Sequence, residues 1–510
     1  MQAGVQACGE MPRRSICINA HVATLLRVYV SVPTMAADIY GRFGSVSIFS
    51  VGIQGTFLLH RHNMGIFTLF LFSTLLATYK SIAVADNPII QTLYTADPAP
   101  LVYNDRIYLF ADHDEDGSTT YNMKDWRLYT SADMANWQDH GVVMSLSTFK
   151  WSNLNAWAGQ VMPRNGKFYY YAPMRHNSGQ MAIGVGVSDN ITGPYRDALG
   201  KPLVQNNEFD PSVWIDENDQ AWMFWGNPNI WYVKLNKDMI SYSGSPQKID
   251  LTTAGFGTGR KEKTSYQEGP WVYKRGNLWY MVYAANCCDE DIRYSTAPSI
   301  TGPYTYKGLV MASQGKSFTN HPGIIDYKNG SYFFYHNGAL PGGSGYTRSI
   351  AIEKFEYKAD GSIPSLTMTS AGAPQIGTLD PYVRQEAETI AFSSGLKTKT
   401  CTEGGMAVTN IDNGDYIKVK GVAFGAGATS FTARVASKNE GPKIELRVGS
   451  QSGTLIGACT VTNTGGTQTW ANITCPITGA TGTQDLFFRF TGSGSGLFDF
   501  NWWQFSAAAQ

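Results

Sequence analysis

The sequence predicts an all-β protein in which a five-bladed β-propeller is followed by a β-sandwich of the jelly-roll type. Two observations carry this prediction: a hairpin pattern recurs five times from residue 97 onward, and short alternating strands separated by Gly-rich turns fill residues 382–505. The 53 Gly, 28 Tyr and 13 Trp among 510 residues also favour strands and turns over long helices.

The repeat defines the predicted propeller. Each copy is an apolar strand, a turn with Gly, Asn or Asp, and an aromatic alternating strand, and successive copies begin 50 to 63 residues apart. This spacing leaves room for about four strands per repeat, which is the size of one propeller blade. The copies begin at Asp97, Gln160, Asp210, Glu268 and His321.

Three of these leading residues are acids, and a radial arrangement would bring Asp97, Asp210 and Glu268 to one mouth of the central channel. Crowded carboxyl groups raise one another's pKa, so that one can stay protonated while another is ionised. Hydrolysis of a glycosidic bond needs such a pair, an acid for the leaving oxygen and a base for water. A single Asp-Pro or Glu-Gly pair could merely form a turn, but three repeats favour a catalytic site.

The first 85 residues contain none of the 13 Trp. An apolar run over residues 64–78 is followed by Ala-Val-Ala at 83–85, the small-x-small form of a signal peptidase site. We therefore expect a signal peptide over 64–85 and a secreted, extracellular protein that does not contact the membrane after cleavage. The run is too short for a comfortable membrane span. We interpret residues 1–63 as a leader that is not translated, with Met64 as the true start.

The charge balance, 40 Lys plus Arg against 40 Asp plus Glu, argues against nucleic acid and anionic membranes as partners. The expected partner is a neutral polymer, and we expect a monomer. Five Cys follow residue 85, an odd number for an oxidising compartment. Cys459 and Cys475, in strands joined by a Gly-rich turn, are the predicted disulfide. Adjacent Cys287 and Cys288 either form a vicinal disulfide near a ligand or are two unpaired thiols.

Four spaced motifs resemble those of glycoside hydrolase family 43, and within it the arabinoxylan arabinofuranohydrolases. The motifs are Thr95-Ala-Asp97-Pro-Ala-Pro, Phe209-Asp210-Pro-Ser-Val-Trp, Tyr266-Gln-Glu268-Gly-Pro-Trp and Thr319-Asn-His321-Pro-Gly. The resemblance implies an inverting hydrolase that removes α-L-arabinofuranosyl groups from arabinoxylan, a plant cell-wall polysaccharide. It implies Asp97 as general base, Glu268 as general acid, and Asp210 as the carboxyl that tunes and orients the acid.

The resemblance also suggests roles for three further residues. Arg348 matches an Arg that reaches the sugar in the innermost subsite, although it could be a surface charge. His321 matches a His that helps to hold a channel calcium ion through water, and Trp157 could stack on a sugar or only pack the blade. No cofactor is required for the chemistry. We interpret the stretch 113–116 as an exposed loop near the rim, since it lacks the spacing of a calcium loop.

Two alternatives remain open for the activity. β-Xylosidase or arabinanase activity would use the same three acids, because loops around the pocket decide the substrate. A non-catalytic propeller that only binds carbohydrate belongs to a different class of function, and the presence of all three acids argues against it.

The composition changes after the propeller, and we place the boundaries at 86–365 for the catalytic domain, 366–380 for a linker and 381–506 for the sandwich. The opening Gln385-Glu386-Ala-Glu388 and the closing Phe500-Asn-Trp-Trp-Gln-Phe resemble carbohydrate-binding module family 6. That resemblance implies a structural calcium ion near Glu386 and Glu388, whose hard oxygens suit it.

The sandwich departs from that family where it usually grips sugar. Gly465-Gly466-Thr467 stands where a Trp is common, Asn410 stands where a second aromatic ring is often found, and Asp499 replaces the usual Asn. We therefore expect the standard sugar cleft to be weakened or lost.

Overall fold

The computed structural model describes residues 86–507. The expected leader (1–63) and signal peptide (64–85) lie outside the described residues. Within the described range nearly all regular structure is β-strand, so the all-β prediction is confirmed. No helix between residues 86 and 507 is long and apolar enough to cross a membrane. The helices there are a single α-turn, α1 (Thr253–Phe256), and a 3-10 turn at Leu146–Thr148.

The N-terminal domain consists of five antiparallel sheets that follow one another along the chain. The first sheet contains β1 (Tyr94–Tyr103), β2 (Arg106–Asp114), β3 (Asp125–Ser131) and β4 (Trp137–Ser145). The second contains β5 (Ser152–Leu154), β6 (Gln160–Arg164), β7 (Lys167–His176), β8 (Met181–Ser188) and β9 (Arg196–Asp197). The third contains β10 (Ser212–Ile215), β11 (Ala221–Trp225), β12 (Trp231–Leu235) and β13 (Tyr242–Lys248). The fourth contains β14 (Tyr266–Arg275), β15 (Leu278–Ala285), β16 (Asp291–Ala297) and β17 (Thr305–Met311), and the fifth contains β18 (Gly323–Tyr327), β19 (Gly330–Asn337) and β20 (Ser349–Phe355).

One cavity of about 400 Å³ touches an inner strand of every one of these sheets. Its walls come from residues 100–102 of β1, 160–163 of β6, 213–215 of β10, 271–274 of β14 and 324–326 of β18. The sheets therefore surround a common channel, and each inner strand begins at one end of it.

Apolar side chains fill the spaces between neighbouring sheets. Tyr171 of the second sheet packs with Trp225 of the third, and Ile107 of the first packs with Phe334 of the fifth. The start of the described chain completes the edge of the fifth sheet, because the amide of Ile89 donates to the Ile350 carbonyl at 2.9 Å. The first and last sheets are thus held together by residues from both ends of the domain.

The C-terminal domain is built from two further sheets. Its strands are β21 (Gln385–Glu386), β22 (Thr389–Ile390), β23 (Phe392–Ser394), β24 (Lys397–Thr400), β25 (Met406–Thr409), β26 (Tyr416–Gly425), β27 (Ala428–Ala436), β28 (Lys443–Val448), β29 (Thr454–Thr460), β30 (Trp470–Pro476), β31 (Gly482–Thr491) and β32 (Asp499–Ala507). One sheet has the order β23-β26-β31-β28-β29, and the other has the order β24-β25-β32-β27-β30 with β21 beside β32.

A separate aromatic core joins these two sheets. The rings of Phe431 and Phe488, one from each sheet, lie 5.7 Å apart, and Trp503 packs against both. A disulfide joins the predicted pair, Cys459 and Cys475, and it connects β29 of one sheet to β30 of the other. Two facing sheets around one core form a β-sandwich.

The two domains are attached along an extended contact. Strand β22 adds to the outer edge of the first sheet, where Thr389 pairs with Gln138 of β4. The predicted linker, 366–380, is also held at several points: Leu366 donates its amide to the Val310 carbonyl at 2.7 Å, and Leu379 donates to Gly421 at 2.9 Å. The linker is therefore a packed segment with partners in both domains.

Asn136 forms a reciprocal pair of hydrogen bonds across this contact. Its Nδ2 donates to the Lys420 carbonyl at 3.1 Å, and its Oδ1 accepts from the Lys420 amide at 2.9 Å. The side chain is buried, so water does not compete for these bonds.

We expect Asn136→Ala to lower the free energy of unfolding by about 1–3 kcal/mol, because it leaves the buried Lys420 amide without a partner. Urea unfolding followed by tryptophan fluorescence measures this change, and limited proteolysis should cut the linker sooner. Gln247→Ala, at an exposed amide on β13, is the control and should change stability by less than about 0.5 kcal/mol. Equal stability of the two variants would contradict the prediction.

Candidate active site

The inner strands are irregular at the predicted acids. Asp97 and Asp210 have left-handed backbone conformations, with φ of 51° and 61°. The pairing of β1 with β2 skips between Ala96 and Ala99, and that of β14 with β15 skips between Glu268 and Trp271. Such bulges turn a side chain out of the regular alternation. They direct each acid towards the mouth of the channel instead of the space between sheets.

A cavity of about 250 Å³ lies at this mouth. The residues that line it belong to the first part of an inner strand, to the segment that leads into one, or to a loop between the second and third strands of a sheet. The structure brings together six of the predicted residues in this wall: Asp97, Trp157, Asp210, Glu268, His321 and Arg348. The other predicted residues, Glu386, Glu388, Cys459 and Cys475, lie in the sandwich.

Arg348 joins two buried carboxylates. Its Nη1 donates to both oxygens of Asp97 at 3.1 Å, while Nε and Nη2 donate to the two oxygens of Asp114 at 2.9 and 3.0 Å. Burial by itself would raise the pKa of Asp97, but the adjacent guanidinium and the His336 ring hold it well below the ordinary value. Asp97 is therefore ionised at neutral pH.

Two imidazole rings lie on the other side of Asp97. His336 Nδ1 is 3.2 Å from Asp97 Oδ1, and His321 Nδ1 is 3.7 Å from the same oxygen. Burial lowers the pKa of both rings, that of His321 to about 4. Both rings are thus neutral at pH 7, and Arg348 supplies the positive charge next to Asp97.

Glu268 has the opposite environment. Burial and the negative charge of Asp97 raise the pKa of Glu268 to about 7, even though Arg348 and a hydrogen bond donated by Asn227 Nδ2 favour its ionised form. Gln267 in turn donates to Asn227 Oδ1 at 3.1 Å and fixes the orientation of that amide. Glu268 therefore keeps a proton in a large fraction of molecules near neutral pH.

Asp210, like Glu268, has a raised pKa. Burial raises its pKa well above the ordinary value, and the charges of Glu268 and Asp97 raise it further. Its Oδ2 accepts a hydrogen bond from the Gly269 amide at 3.1 Å, the residue that follows Glu268. Asp210 is thus attached to the backbone that carries Glu268.

Residues 85–363 match the profile of the family described as Glycosyl hydrolases family 43, and residues 386–507 match that of Carbohydrate binding module (family 6). The chain belongs to glycosyl hydrolases family 43. Both resemblances predicted from the motifs are confirmed. The fold of this family is a β-propeller and that of the module is a β-sandwich, in agreement with the two sets of sheets.

Several relatives match over most of the chain. The arabinoxylan arabinofuranohydrolase of Bacillus subtilis (strain 168) is 35% identical over 484 residues, which cover 82% of this chain and 92% of the relative. That of Paenibacillus polymyxa is 34% identical over 490 residues, covering 82% and 74%. The crystal structure of a family 43 arabinoxylan arabinofuranohydrolase from Bacillus subtilis in complex with cellotetraose superposes with a TM-score of 0.72 at 33% identity, covering 84% of this chain and all of that chain.

Trp157 forms part of the aromatic wall of this hydrolase pocket. Its Nε1 donates to the Tyr121 carbonyl at 2.8 Å, and its ring meets that of Phe209 edge to face at 4.9 Å. The ring is only partly buried, so one part of it remains available to a ligand in the cavity. These contacts fix its orientation.

The sequence prediction for the stretch 113–116 was wrong at His113 and Asp114, which are buried at the end of β2. Asp114 is 1% exposed and forms the bidentate pair with Arg348, because β2 continues through Asp114 before the loop begins. Sequence reasoning also missed Asn227, His336 and Glu290. A sequence signal did exist for Asn227. This residue comes just after an aromatic strand, β11, that ends at the channel mouth, where the predicted acids also lie.

The surroundings of His321 do not supply a set of oxygen ligands for calcium. Its nearest carboxylate, Asp97, is already bound by Arg348, and among residues 86–507 His321 belongs to no group of three or more acidic, His or Cys side chains close enough to share an ion. Calcium prefers six to eight oxygens. Contact through water, as the family resemblance implies, stays a prediction.

The residues of the sandwich fit calcium better. Glu388 is 2% exposed, its Oε2 has no hydrogen-bond partner in the described chain, and burial raises its pKa well above the ordinary value. Asn501 Oδ1 is also buried and without a partner in residues 86–507, and the Asn501 carbonyl accepts from Ala387 at 2.9 Å. Glu386 lies beside them but pairs with Arg384 at 2.8 Å. A hard cation would satisfy these orphaned oxygens.

The substituted cleft residue Asp499 has an internal role. Its two oxygens accept from Lys399 Nζ and Thr409 Oγ1, each at 2.6 Å, and the side chain is buried. It therefore stabilises the pairing of neighbouring strands, in line with a weakened cleft.

We expect Arg348→Met to lower the free energy of unfolding at pH 7 by about 3–5 kcal/mol, because it leaves Asp97 and Asp114 buried without a counter-charge. Without the guanidinium, burial would raise the pKa of Asp97 in the folded state. The deficit should shrink as the pH falls from 7 to 4, since protonation removes the unpaired charges.

Urea unfolding at both pH values tests this prediction. Arg196→Met is the control, since Arg196 is exposed and its nearest carboxylate oxygen, on Asp189, is 3.9 Å away. Its effect should be small at both pH values. A loss for Arg348→Met that does not depend on pH would count against the electrostatic explanation.

Proposed function

We propose that the protein removes α-L-arabinofuranosyl side groups from arabinoxylan by an inverting mechanism. The observation that carries this proposal is the pocket in which Asp97 is ionised while Glu268, in the same wall, has a pKa of about 7. Inverting glycosidases need this pair of protonation states. The curated relatives that cover most of the chain are arabinoxylan arabinofuranohydrolases, which supports the choice of substrate.

The proposed arrangement of the catalytic domain is a propeller of five blades, one for each sheet between residues 94 and 355. The shared channel lined by all five inner strands supports it. In this arrangement the blade loops on one face form the pocket, and the opposite end of the channel plays no part in the chemistry.

In the proposed mechanism Glu268 donates its proton to the glycosidic oxygen as the bond to the arabinose carbon breaks. Asp97 accepts a proton from a water molecule, whose oxygen bonds to that carbon from the opposite face of the ring. The products are arabinose with inverted configuration and the free hydroxyl of the xylose unit. Asp97 is then protonated and Glu268 ionised, and exchange with solvent restores both.

The surrounding residues set these states. Arg348 keeps Asp97 ionised, and burial together with the negative charge of Asp97 raises the pKa of Glu268. Asp210 accepts a hydrogen bond from the Gly269 amide and so orients the backbone that carries Glu268. Arg348 also faces the cavity, as do Tyr121 and Trp157, so these three are the proposed contacts for the arabinose ring.

Three further proposals complete the functional assignment. A structural calcium ion binds the sandwich through Glu388 and Asn501, with Glu386 nearby, and it takes no part in the reaction. The enzyme acts outside the cell, which agrees with two disulfides in the described chain. It acts as a monomer on the wall polysaccharide.

We expect Glu268→Gln and Asp97→Asn each to reduce arabinose release from arabinoxylan by about 10²- to 10⁴-fold, because each removes one proton-transfer group. Glu217→Gln, at an exposed surface acid, should retain full activity. Proton NMR during the first minutes should show the inverted anomer. Undiminished release by Glu268→Gln would refute the assignment, and faster hydrolysis of linear xylan or arabinan would favour the alternative substrates.

We expect the activity to fall as the pH rises through about 7, where Glu268 loses its proton, and to persist at acidic pH down to the low pKa of Asp97. Asn227→Ala removes a hydrogen bond that favours ionised Glu268, so its alkaline limb should move up by roughly one pH unit. Asn229→Ala is the matched control, because this neighbour binds Glu208 instead. Profiles of kcat/KM against pH that coincide for wild type and Asn227→Ala would contradict the prediction.

A further inference from the structure

A short loop, residues 286–290, connects β15 to β16 beside the proposed general acid. Glu268 pairs with Ala284 across β14 and β15, so β15 returns to the pocket two residues before this loop begins. Cys287, Cys288 and Glu290 all line the cavity. Cys287 is partly exposed and Cys288 is exposed, whereas Glu290 is 2% exposed. The loop therefore extends from the depth of the pocket to its rim.

The loop is held at both ends. At its start, Arg260 donates its amide to Asn286 Oδ1 at 2.9 Å and its Nη2 to the Asn286 carbonyl at 2.6 Å. At its end, Glu290 donates its amide to the Phe318 carbonyl at 3.0 Å, and its Oε2 accepts from the Asn320 amide at 2.9 Å. A loop anchored in this way presents a fixed surface to a ligand.

That surface combines sulfur with one free oxygen. Cys287 and Cys288 form a disulfide, the first of the two alternatives that the sequence left open. Their Sγ atoms and a carboxylate oxygen of Glu290 lie within 4.8 Å of one another. Glu290 Oε1 is buried and has no hydrogen-bond partner in the described chain. Polarizable sulfur packs well against apolar faces, such as the C–H face of a sugar, and a free carboxyl oxygen can bind a hydroxyl group.

The position of Glu268 tells which part of the substrate meets this loop. The general acid must contact the glycosidic oxygen, so groups beyond it towards the rim face the sugar that carries the arabinose. Of the three acids, Glu268 has the strongest electrostatic effect on Glu290, ahead of Asp210 and Asp97. The pairing of Glu268 with Ala284, just before the loop, places the loop on the side of the general acid, where the leaving group lies.

We propose that the Cys287–Cys288 disulfide and Glu290 form the subsite for the xylose unit that carries the arabinose, with the sulfur atoms against its ring face and Glu290 Oε1 on a hydroxyl. This inference rests on the proposed function and names a residue set for the leaving group of that reaction. The disulfide then contributes to substrate specificity and also stabilises the conformation of the loop.

The experiment compares Cys287→Ser/Cys288→Ser with wild type on a singly arabinosylated xylo-oligosaccharide and measures inhibition by free arabinose. Arabinose probes the inner pocket and does not need the leaving-group subsite. Cys459→Ser/Cys475→Ser is the matched control, since it removes the disulfide of the sandwich. Glu290→Gln, which retains an oxygen for the Asn320 amide, tests the second contact without removing the anchor.

We expect KM for the oligosaccharide to rise about tenfold in Cys287→Ser/Cys288→Ser, as for the loss of one good contact in a binding site. The inhibition constant of arabinose should stay within about twofold of wild type. The control should keep both values, and Glu290→Gln should raise KM for the oligosaccharide alone.

A chemical test uses the wild-type enzyme and dithiothreitol. Reduction converts the exposed disulfide to two thiols while dithiothreitol is oxidised to its cyclic disulfide, and KM should rise as two thiols appear. Cys287→Ser/Cys288→Ser should not respond.

An unchanged KM in Cys287→Ser/Cys288→Ser overturns the inference, and so does an equal loss of affinity for oligosaccharide and arabinose, which would indicate a purely structural loop. If wild type releases no arabinose at all, the proposed function fails first, so the two failures are distinguishable.

Discussion

The ion cluster around Arg348 is the constraint on which the pocket depends. Among the described residues that line the cavity, Arg348 is the one Lys or Arg, whereas Asp97, Asp210, Glu268 and Glu290 all contribute carboxyl groups. One guanidinium cannot compensate four buried negative charges, and its contacts select Asp97. The remaining carboxyls have raised pKa values as a consequence. The division of labour between base and acid therefore follows from the position of one guanidinium among several buried carboxyls.

The sheets determine where these charged groups lie. The inner strands begin at the same end of the channel, and the irregular backbone at Asp97, Asp210 and Glu268 points these three side chains into the cavity. At Gly269 a left-handed backbone conformation, with φ of 60°, leaves the His321 ring in close contact, so a side chain at this position would collide with it. Rigid strands thus place the reacting groups, and the loops between second and third strands add the contacts that define the substrate.

Sequence patterns predicted the repeating part of this design well. The fivefold hairpin repeat led to an all-β fold, and equivalent positions in three repeats led to Asp97, Asp210 and Glu268 in one pocket. The pattern could not predict Asp114 opposite Arg348, because the two residues are 234 positions apart and no repeat relates them. Glu290 lies on a loop between two strands, where periodicity carries no information.

Short elements were equally hard to predict. Strand β22 has two residues, too few for any alternation to be visible, yet it joins the sandwich to the first sheet. The predicted linker, residues 366–380, has a linker-like composition, and its hydrogen bonds to both domains became apparent only from the structure.

That packed connection changes what the binding module can contribute on a wall polysaccharide. The sandwich contacts the catalytic loop directly, since Lys397 Nζ binds Asp116 at 2.9 Å, in the loop that also carries Tyr121. A module on a flexible tether raises the effective concentration of chain segments over a wide radius. A module fixed in this way keeps a constant distance and orientation to the pocket. A glycan bound to it would therefore reach the pocket at a fixed distance along its backbone.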